Sequence, residues 1–518
     1  DGELSLYRRE TGVNRLLERV FLPPLTDGVF YKAEIRGEDE KIDFYLDGKL
    51  VFSYRGIRIG GGFGFCQTVE KWAVVSEIEI QEKGKTLFKD DFSSPDFARY
   101  DIVTEDYFIA DGAKRDRLPW SGDIDWAFRS GFYCYSFDTA MKNTLAIFAR
   151  HQNPEGFVYG TCYPENHVRP PIGDYGMYES DMFSAWYLLS ACTYYEYTGD
   201  TDCIKKLYPT LLLGADYLAQ YIDAEGVFCQ RYQTSKGLWD HCLGDIGKNG
   251  YTNIIVQLCF ARIARFAQEL NDPENASRLL KVAEHMKKGI YKTFWRQGGF
   301  IKSEKIEVFC DMANSIALAY DFVTAEEAGE MVNSFLSRDF EQVAHGKTLV
   351  LTMRGLFHYG YDELAYKLLT GKTRVEAAKN FFLTVDWLGI TETDAYPHTT
   401  AECQHFPPAH SAEPDNWGDM SHPDTAVCEL ISGCILGIRP LATGFKKVLI
   451  RPNLHGMKRM KCSLLTKYGK IGLEVVNEDG TTTVRYSVPK NTEAVFDFSK
   501  LGENVISEEM SGENGFEL

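Results

Sequence analysis

The sequence predicts a multidomain chain: a large all-α middle, a β region before it and a β-sandwich after it. Three observations carry this. At 518 residues the chain is too long for one hydrophobic core. Apolar residues repeat at period two early on, change to a helical period at about Gly131, and return to period two after Pro440. The helical stretch holds roughly a dozen amphipathic runs without strong strands between them, a pattern suited to helix hairpins wound into a toroid. The expected boundaries are 1–100, 101–440 and 441–518.

In the first region, Val29-Phe-Tyr-Lys-Ala-Glu-Ile and Ile42-Asp-Phe-Tyr-Leu alternate, and Asp47-Gly48 marks a hairpin turn before Leu50-Val-Phe-Ser-Tyr. Gly60-Gly-Gly-Phe-Gly64 has no helix after it, only another strand expected over Trp72–Ile80, so it reads as a tight sheet bend rather than a nucleotide loop. Tyr107-Phe-Ile109 looks strand-like. Helices are expected over Ser184–Tyr195, Leu207–Ile222, Thr252–Leu270, Ala276–Phe294, Met312–Phe322, Ala325–Phe335, Leu349–Phe357 and Tyr361–Leu369. Gly199-Asp200, Asp223-Ala-Glu-Gly226 and Asn271-Asp-Pro273 punctuate them. After Pro440, strands are expected at Lys447-Val-Leu-Ile, Ser463-Leu-Leu-Thr, Lys470-Ile-Gly-Leu-Glu-Val-Val and Thr482-Thr-Val-Arg-Tyr-Ser-Val, with Asp479-Gly480 as a turn. The polar, acidic residues 505–518 are expected to be loosely ordered.

Composition narrows the partners. A formal charge of −18 argues against nucleic acid and anionic membranes, both polyanions, and suits a neutral ligand. No run approaches eighteen apolar residues, so no membrane span is expected. The thirteen cysteines are scattered, without a CxxC pair, which fits reduced thiols such as Cys192 and Cys259 buried as small hydrophobes. A start at Asp1-Gly-Glu, without Met, reads as a trimmed chain or a fragment. A cytoplasmic location is expected, with secretion from a trimmed precursor as the alternative.

The chemistry concentrates in Asp111-Gly-Ala-Lys-Arg115-Asp116-Arg117-Leu-Pro-Trp120-Ser-Gly-Asp123, which mixes three carboxylates, three cations and an indole. A pocket for a polyhydroxylated ring needs these types: carboxylates accept from hydroxyls, a guanidinium donates, and an indole covers C–H faces. A salt-bridged surface loop is the plainer reading of the same composition.

The run Asp111-Gly-x-x-Arg115-Asp116-Arg117 followed by Trp120-x-Gly-Asp123 resembles the acidic motif of the glycoside hydrolase family 78 α-L-rhamnosidases. Ser421-His422-Pro through Leu436-Gly-Ile-Arg-Pro440 resembles that family's last barrel helix and its exit into a C-terminal domain. The segments Phe44-Tyr-Leu-Asp-Gly-Lys-Leu-Val and Gly62-Phe-Gly-Phe look like a laminin-G or concanavalin-type jelly roll. The resemblance implies a central (α/α)6 barrel flanked by an N-terminal jelly roll and a C-terminal β-sandwich, and an inverting exo-hydrolase of terminal α-L-rhamnose that works without a cofactor. Its substrate would be an oligosaccharide or a rhamnosylated glycoside.

Carried over by resemblance, Asp111 and Arg115 grip the sugar hydroxyls, Asp116 is the general acid, Trp120 lines the ring pocket and Asp123 is a supporting carboxylate. Family members more often have Glu at the place of Asp116; the shorter arm withdraws the proton by about 1–1.5 Å. Arg115 and Arg117 push the Asp116 pKa down, whereas burial against Trp120 or a neighbouring carboxylate would raise it. Inversion needs a base about 6.5–9.5 Å from the acid. Glu402, twenty residues before His422, is favoured for that role, with Glu392 in Gly-Ile-Thr-Glu as the alternative, and His422 would donate to a sugar hydroxyl. Trp239, with Asp240, resembles a sugar-platform position. Asp181 opens a helix, where a pocket-lining role and simple macrodipole compensation are both open. His398, Glu402, Cys403, His405, His410 and His422 are zinc-ligand types, but their spacing matches no closed site and Pro407-Pro408 breaks any aligning helix; no metal is expected. Two further readings stay open: a non-catalytic carbohydrate-binding relative, and a toroidal enzyme acting on another sugar as glycosidase, phosphorylase or lyase.

Overall fold

The computed structural model describes residues 3–10, 13–26, 28–56, 74–93, 108–110, 118–134, 138–162, 179–231, 247–337, 346–369 and 428–510. The chain divides into two compact units, one over Asp1–Ile102 and a second holding the described residues from Phe108 onward.

In the first unit, Glu3–Glu10 and Val13–Phe21 form an antiparallel hairpin that the alternation did not predict. Ala33–Glu38, Lys41–Leu46 and Lys49–Arg55 form a three-stranded meander. Its second turn is the expected Asp47-Gly48, both at positive φ (46° and 74°), the two left-handed positions that match the twist of a tight hairpin. Phe44 and Phe52 face one another across the strands and stack at 5.6 Å. Ile78–Glu82 and Lys85–Asp90 make a further hairpin. The strand expected from Trp72 starts only at Ile78, and the Gly60–Gly64 bend lies outside the described residues.

The second unit is a helical, barrel-like core with a β domain at its C-terminal end. Among the described residues its α-helices are α1 (Ile124–Cys134), α2 (Asp138–His151), α3 (Asp181–Thr198), α4 (Thr201–Ala219), α5 (Gly250–Glu269), α6 (Pro273–Phe294), α7 (Asp311–Ala319), α8 (Ala325–Ser337), α9 (Gly346–His358) and α10 (Asp362–Leu369). A π-helical segment, Glu429–Ile435, follows. α1 packs on α3, α3 on α5, α5 on α7, α7 on α9, α9 on the π-helical segment, and that segment returns to α1, closing an inner ring. Inner α3 is buried on nearly every side. Outer α6 buries one stripe only (Ala276, Leu279, Ala283, Met286, Ile290, Phe294), and the remaining faces carry its lysines and glutamates.

The turn residues act as caps. Gly199 takes the left-handed conformation (φ 61°) that ends α3, and Asp200 accepts from Cys203 N at 3.0 Å to start α4. Asp272 accepts from Asn275 N at 3.1 Å, ahead of Pro273 in the first turn of α6. The first inner helix starts at Ile124, earlier than the Gly131 expected. Gly131 is unfavourable inside an isolated helix, but α1 is held by its packing in the ring rather than by propensity. Phe108–Ala110 has no regular structure despite its strand-like residues. A short hairpin, Ile301–Ser303 with Ile306–Phe309, lies between α6 and α7, where no strand was expected.

Among the described residues the β domain has two sheets. Ile438–Pro440 pairs antiparallel with Lys447–Ile450, which pairs in parallel with Glu493–Phe496. Arg459–Thr466, Gly469–Glu478 and Thr481–Ser487 form a meander, turning at Asp479-Gly480 (φ 48° and 81°). Met460, Cys462, Leu464, Ile471, Leu473, Val475 and Val484 point inward. Val505–Glu509 is a strand on this sheet, parallel to Thr481–Ser487, which corrects the expectation of loose order there: ladder bonds hold a segment whose side chains are mostly exposed. Tyr133 Oη donates to Ile438 O (2.8 Å) and Phe132 stacks on Phe445 at 5.5 Å, fastening α1 to this domain.

Candidate active site at the rim of the helical ring

A chain of hydrogen bonds joins the starts of four inner helices into one rim. Before α1, Trp120 bridges to Thr161, Ser121 N donates to Gly160 O (2.8 Å) and Ser121 Oγ to Phe183 O (3.1 Å) on the first turn of α3. Gly122 is required here: a Cβ at this position would overlap the Phe183 ring. Trp120 meets the same ring edge-on at 6.1 Å. From α3, Asp181 reaches the segment before α5. Its carboxylate accepts from Arg231 N (2.6 Å) and from Tyr217 Oη (3.0 Å) of α4. Gln230 pairs with Gly247, and Gln230 Oε1 accepts from Asn249 Nδ2 (2.9 Å) and Thr252 Oγ1 (2.8 Å) at the start of α5. Asn249 caps α5 and bridges to Ser303, in the hairpin that leads into α7.

These four inner helices therefore present their N-termini to this rim, where the macrodipole favours negative charge. Asp123, Asp181, Asn249 and Ser303 are buried there, so polar groups gather at this end of the ring. Asp123 opens α1: its N–H donates to Trp120 O at 3.1 Å and its carbonyl accepts from Ala127 N at 3.3 Å.

Below the rim lies a buried cluster of charge to which all six ring elements contribute. Arg129 of α1 donates from Nε to Asp125 (2.9 Å), from Nη1 to Tyr197 Oη (2.9 Å) and Glu429 (3.3 Å), and from Nη2 to Thr193 (3.1 Å). Arg354 of α9 donates to both Glu429 oxygens, at 3.4 and 3.2 Å. Tyr320, which ends α7, donates to Asp125 at 2.7 Å. The guanidiniums of Arg354, Arg262 of α5 and Arg129 face its ring at 4.5, 5.3 and 5.4 Å. Burial alone would raise the Asp125 carboxyl; Arg129 and Arg354, with bonds from Thr193 and Tyr320, outweigh it and hold it below its ordinary value. Burial also opposes the charge on Arg129, and Asp125, Tyr197 and Glu429 more than restore it.

Of the residues singled out in the sequence, the structure brings Trp120, Asp123 and Asp181 to one rim. Asp111, Arg115, Asp116, Trp239, Glu392, Glu402 and His422 lie outside the described residues, as does the run from His398 to His422. Among the described residues no group of His, Cys, Asp or Glu is arranged to hold a metal ion, and no helix is long and apolar enough to cross a membrane. Sequence reasoning missed the buried cluster. Asp125 and Arg129, four apart on one helix, were its only local signal.

A ring of inner helices with outer partners, a polar rim at the inner N-termini and a β domain behind it define the architecture of the helical-toroid glycosidases. Residues 105–376 match the family described as the bacterial alpha-L-rhamnosidase six-hairpin glycosidase domain, and residues 437–513 match the bacterial alpha-L-rhamnosidase C-terminal domain. The chain belongs to this family, the α-L-rhamnosidases of glycoside hydrolase family 78. A curated relative, an alpha-L-rhamnosidase of Formosa agariphila, is 23% identical over 483 residues, covering 86% of this chain and 47% of the relative. The chain thus spans about half the length of the curated relative it matches.

Solved structures agree on the fold. The family 78 rhamnosidase of Bacillus sp. GL1 superposes with a TM-score of 0.60 at 13% identity, over 76% of this chain and 40% of that one. The Streptomyces avermitilis alpha-L-rhamnosidase complexed with L-rhamnose gives a TM-score of 0.56 at 16% identity, over 75% of this chain and 36% of that one.

Proposed function

We propose that the chain carries the catalytic part of an inverting, exo-acting glycoside hydrolase that removes terminal α-L-rhamnose from an oligosaccharide or glycoside. In this reading residues 101–440 are an (α/α)6 barrel, 1–100 a jelly-roll domain and 441–518 a β-sandwich. The observation that carries it is the placement of Trp120 and Asp123. The motif Asp111–Asp123 ends one residue before the first ring helix, and its described residues Trp120 and Asp123 lie at the rim where four inner helices begin. The net charge of −18 fits a neutral sugar better than a polyanionic one.

Asp116 protonates the leaving oxygen, and Glu402 draws a proton from a water on the opposite sugar face; Glu392 is the alternative base. The water then enters as the glycosidic bond breaks, so the product sugar has inverted configuration. Asp111, Arg115 and His422 hydrogen-bond the rhamnose hydroxyls, and Trp120 and Trp239 cover its C–H faces. Asp123 supports the acid. Asp181 lines the pocket and, through its bond from Arg231 N, positions the segment that leads toward Trp239. No metal or organic cofactor takes part.

The test uses 4-nitrophenyl α-L-rhamnopyranoside with Asp116→Asn, Glu402→Gln and Glu392→Gln. Loss of a general acid or base lowers kcat by roughly 10²–10⁴-fold. Asp116→Asn and Glu402→Gln are expected to lose activity on this scale while still binding rhamnose in calorimetry, and proton NMR of the released sugar to show the inverted anomer first. Loss in Glu392→Gln instead of Glu402→Gln would move the base to Glu392. A wild-type chain that binds rhamnose without turnover would overturn the hydrolase reading.

A further inference from the structure

The buried cluster under the rim joins the beginning of the ring to its end. Glu429, on the π-helical segment, accepts from Arg129 on α1, 300 residues earlier, and from Arg354 on α9. With Asp125 the four charges sum to zero, and each lies at no more than 6% exposure. Such a group is a weak source of stability, because apolar side chains of the same volume fill a core at lower desolvation cost. What it supplies is direction. A guanidinium is planar and its donors point in fixed directions, so Arg129 and Arg354, each donating from Nη1 to the Glu429 carboxylate, hold it in one narrow arrangement, where Leu or Met would allow sliding. Tyr197 adds a bond to the same carboxylate at 3.4 Å. The two elements so fixed are the ones into which the Asp111–Asp123 motif and the segment ending at His422 lead along the chain.

We propose that Glu429, held by Arg129 and Arg354, is a positioning residue: it fixes the first ring helix against the last and thereby the separation of the two chain segments that supply the acid and the base. The inference rests on the hydrolase reading and extends it to groups that touch no substrate. An inverting reaction is sensitive to this separation, since a water must fit between base and sugar, and a displacement of about 1 Å can cost roughly 10²-fold in rate. Substrate grip is less sensitive, because Asp111, Arg115 and Trp120 of the first segment carry most of it and His422 is the one gripping group of the other.

The full chain is assayed on 4-nitrophenyl α-L-rhamnopyranoside as wild type, Glu429→Gln and Arg354→Gln. Arg354→Gln keeps the Arg129–Glu429 pair, so it serves if Glu429→Gln does not fold. Each folded variant is expected to lose about 10–100-fold in kcat with KM and the rhamnose Kd within about twofold of wild type. The loss should persist at 10 °C, where the variants are fully folded by near-ultraviolet circular dichroism. Wild-type kcat in a folded variant, or its return on cooling, would reduce the cluster to a stabilising role and overturn the proposal. A wild-type chain inactive on aryl rhamnosides removes the hydrolase reading first, and this inference with it.

Discussion

Replacing Arg129 by Met tests the physics of the buried cluster directly. The residue is 6% exposed, and its side chain makes four hydrogen bonds, to Asp125, Thr193, Tyr197 and Glu429. Met fills most of the volume but leaves Asp125 and Glu429 facing Arg354 alone, so two carboxylates share one cation. Removing one partner from a buried pair costs about 3–5 kcal/mol, and this site lies at the upper end because two anions depend on the group removed. The sign of the pH dependence follows from Asp125. In the native chain its folded pKa lies below 3.8, so its contribution is complete at neutral pH and fades only as pH falls through that depressed value. Without Arg129, burial becomes the dominant influence and the carboxyl rises above its unfolded value. A group with a raised folded pKa favours the fold below the unfolded value and loses that contribution as pH climbs. The stability gap between Arg129→Met and wild type should therefore be widest near pH 7 and narrow by about 1.4 kcal/mol per pKa unit of the rise as pH approaches 4. Urea unfolding followed by tryptophan fluorescence at pH 7.0 and 4.5 measures both gaps. A gap under about 1 kcal/mol at pH 7, or one that widens in acid, would refute the reasoning.

Two further predictions concern other parts of the fold. Gly437 takes φ +71° where the last ring element turns into the β domain, and a Cβ there would overlap the Arg451 carbonyl. Gly437→Ala is expected to lower the melting temperature, with roughly 1–2 kcal/mol from the left-handed backbone alone and more from the displaced strand; an unchanged melting temperature in a thermal scan would count against it. The Cys428 thiol is pulled down to about 6 by the bond that the Cys134 thiol donates to it, against the opposing effect of burial. Burial drives Cys192 and Cys259 upward. Limiting iodoacetamide at pH 7 should label Cys428 before any of these, as read by peptide mass spectrometry; earlier labelling of Cys134 or Cys192 would show the thiolate to be elsewhere.

Much of the fold was legible because long helices repeat their apolar residues over many turns. α3, α5 and α6 lie where the periodicity put them, and Gly199, Asp200 and Asp272 cap α3, α4 and α6 as their residue types suggest. Short elements were not legible. The Ile301–Phe309 hairpin has too few residues for a period to register, and Val505–Glu509 is a strand because of its neighbour, not its composition. In the site, the motif before α1 stood out by its mixture of charges. Arg354 and Glu429 did not, since nothing local distinguishes a core charge from a solvated one.

The sequence by itself determined the order of β, α and β regions, the helix caps and the concentration of sugar-recognising chemistry before α1, because each depends on residues a few positions apart. Tertiary structure alone decided that the ring closes, and that Arg129 meets Glu429 across 300 residues. Closure and charge pairing are set by which helix faces become neighbours in space. That depends on the sum of all packing contacts, and no local stretch of chain encodes it.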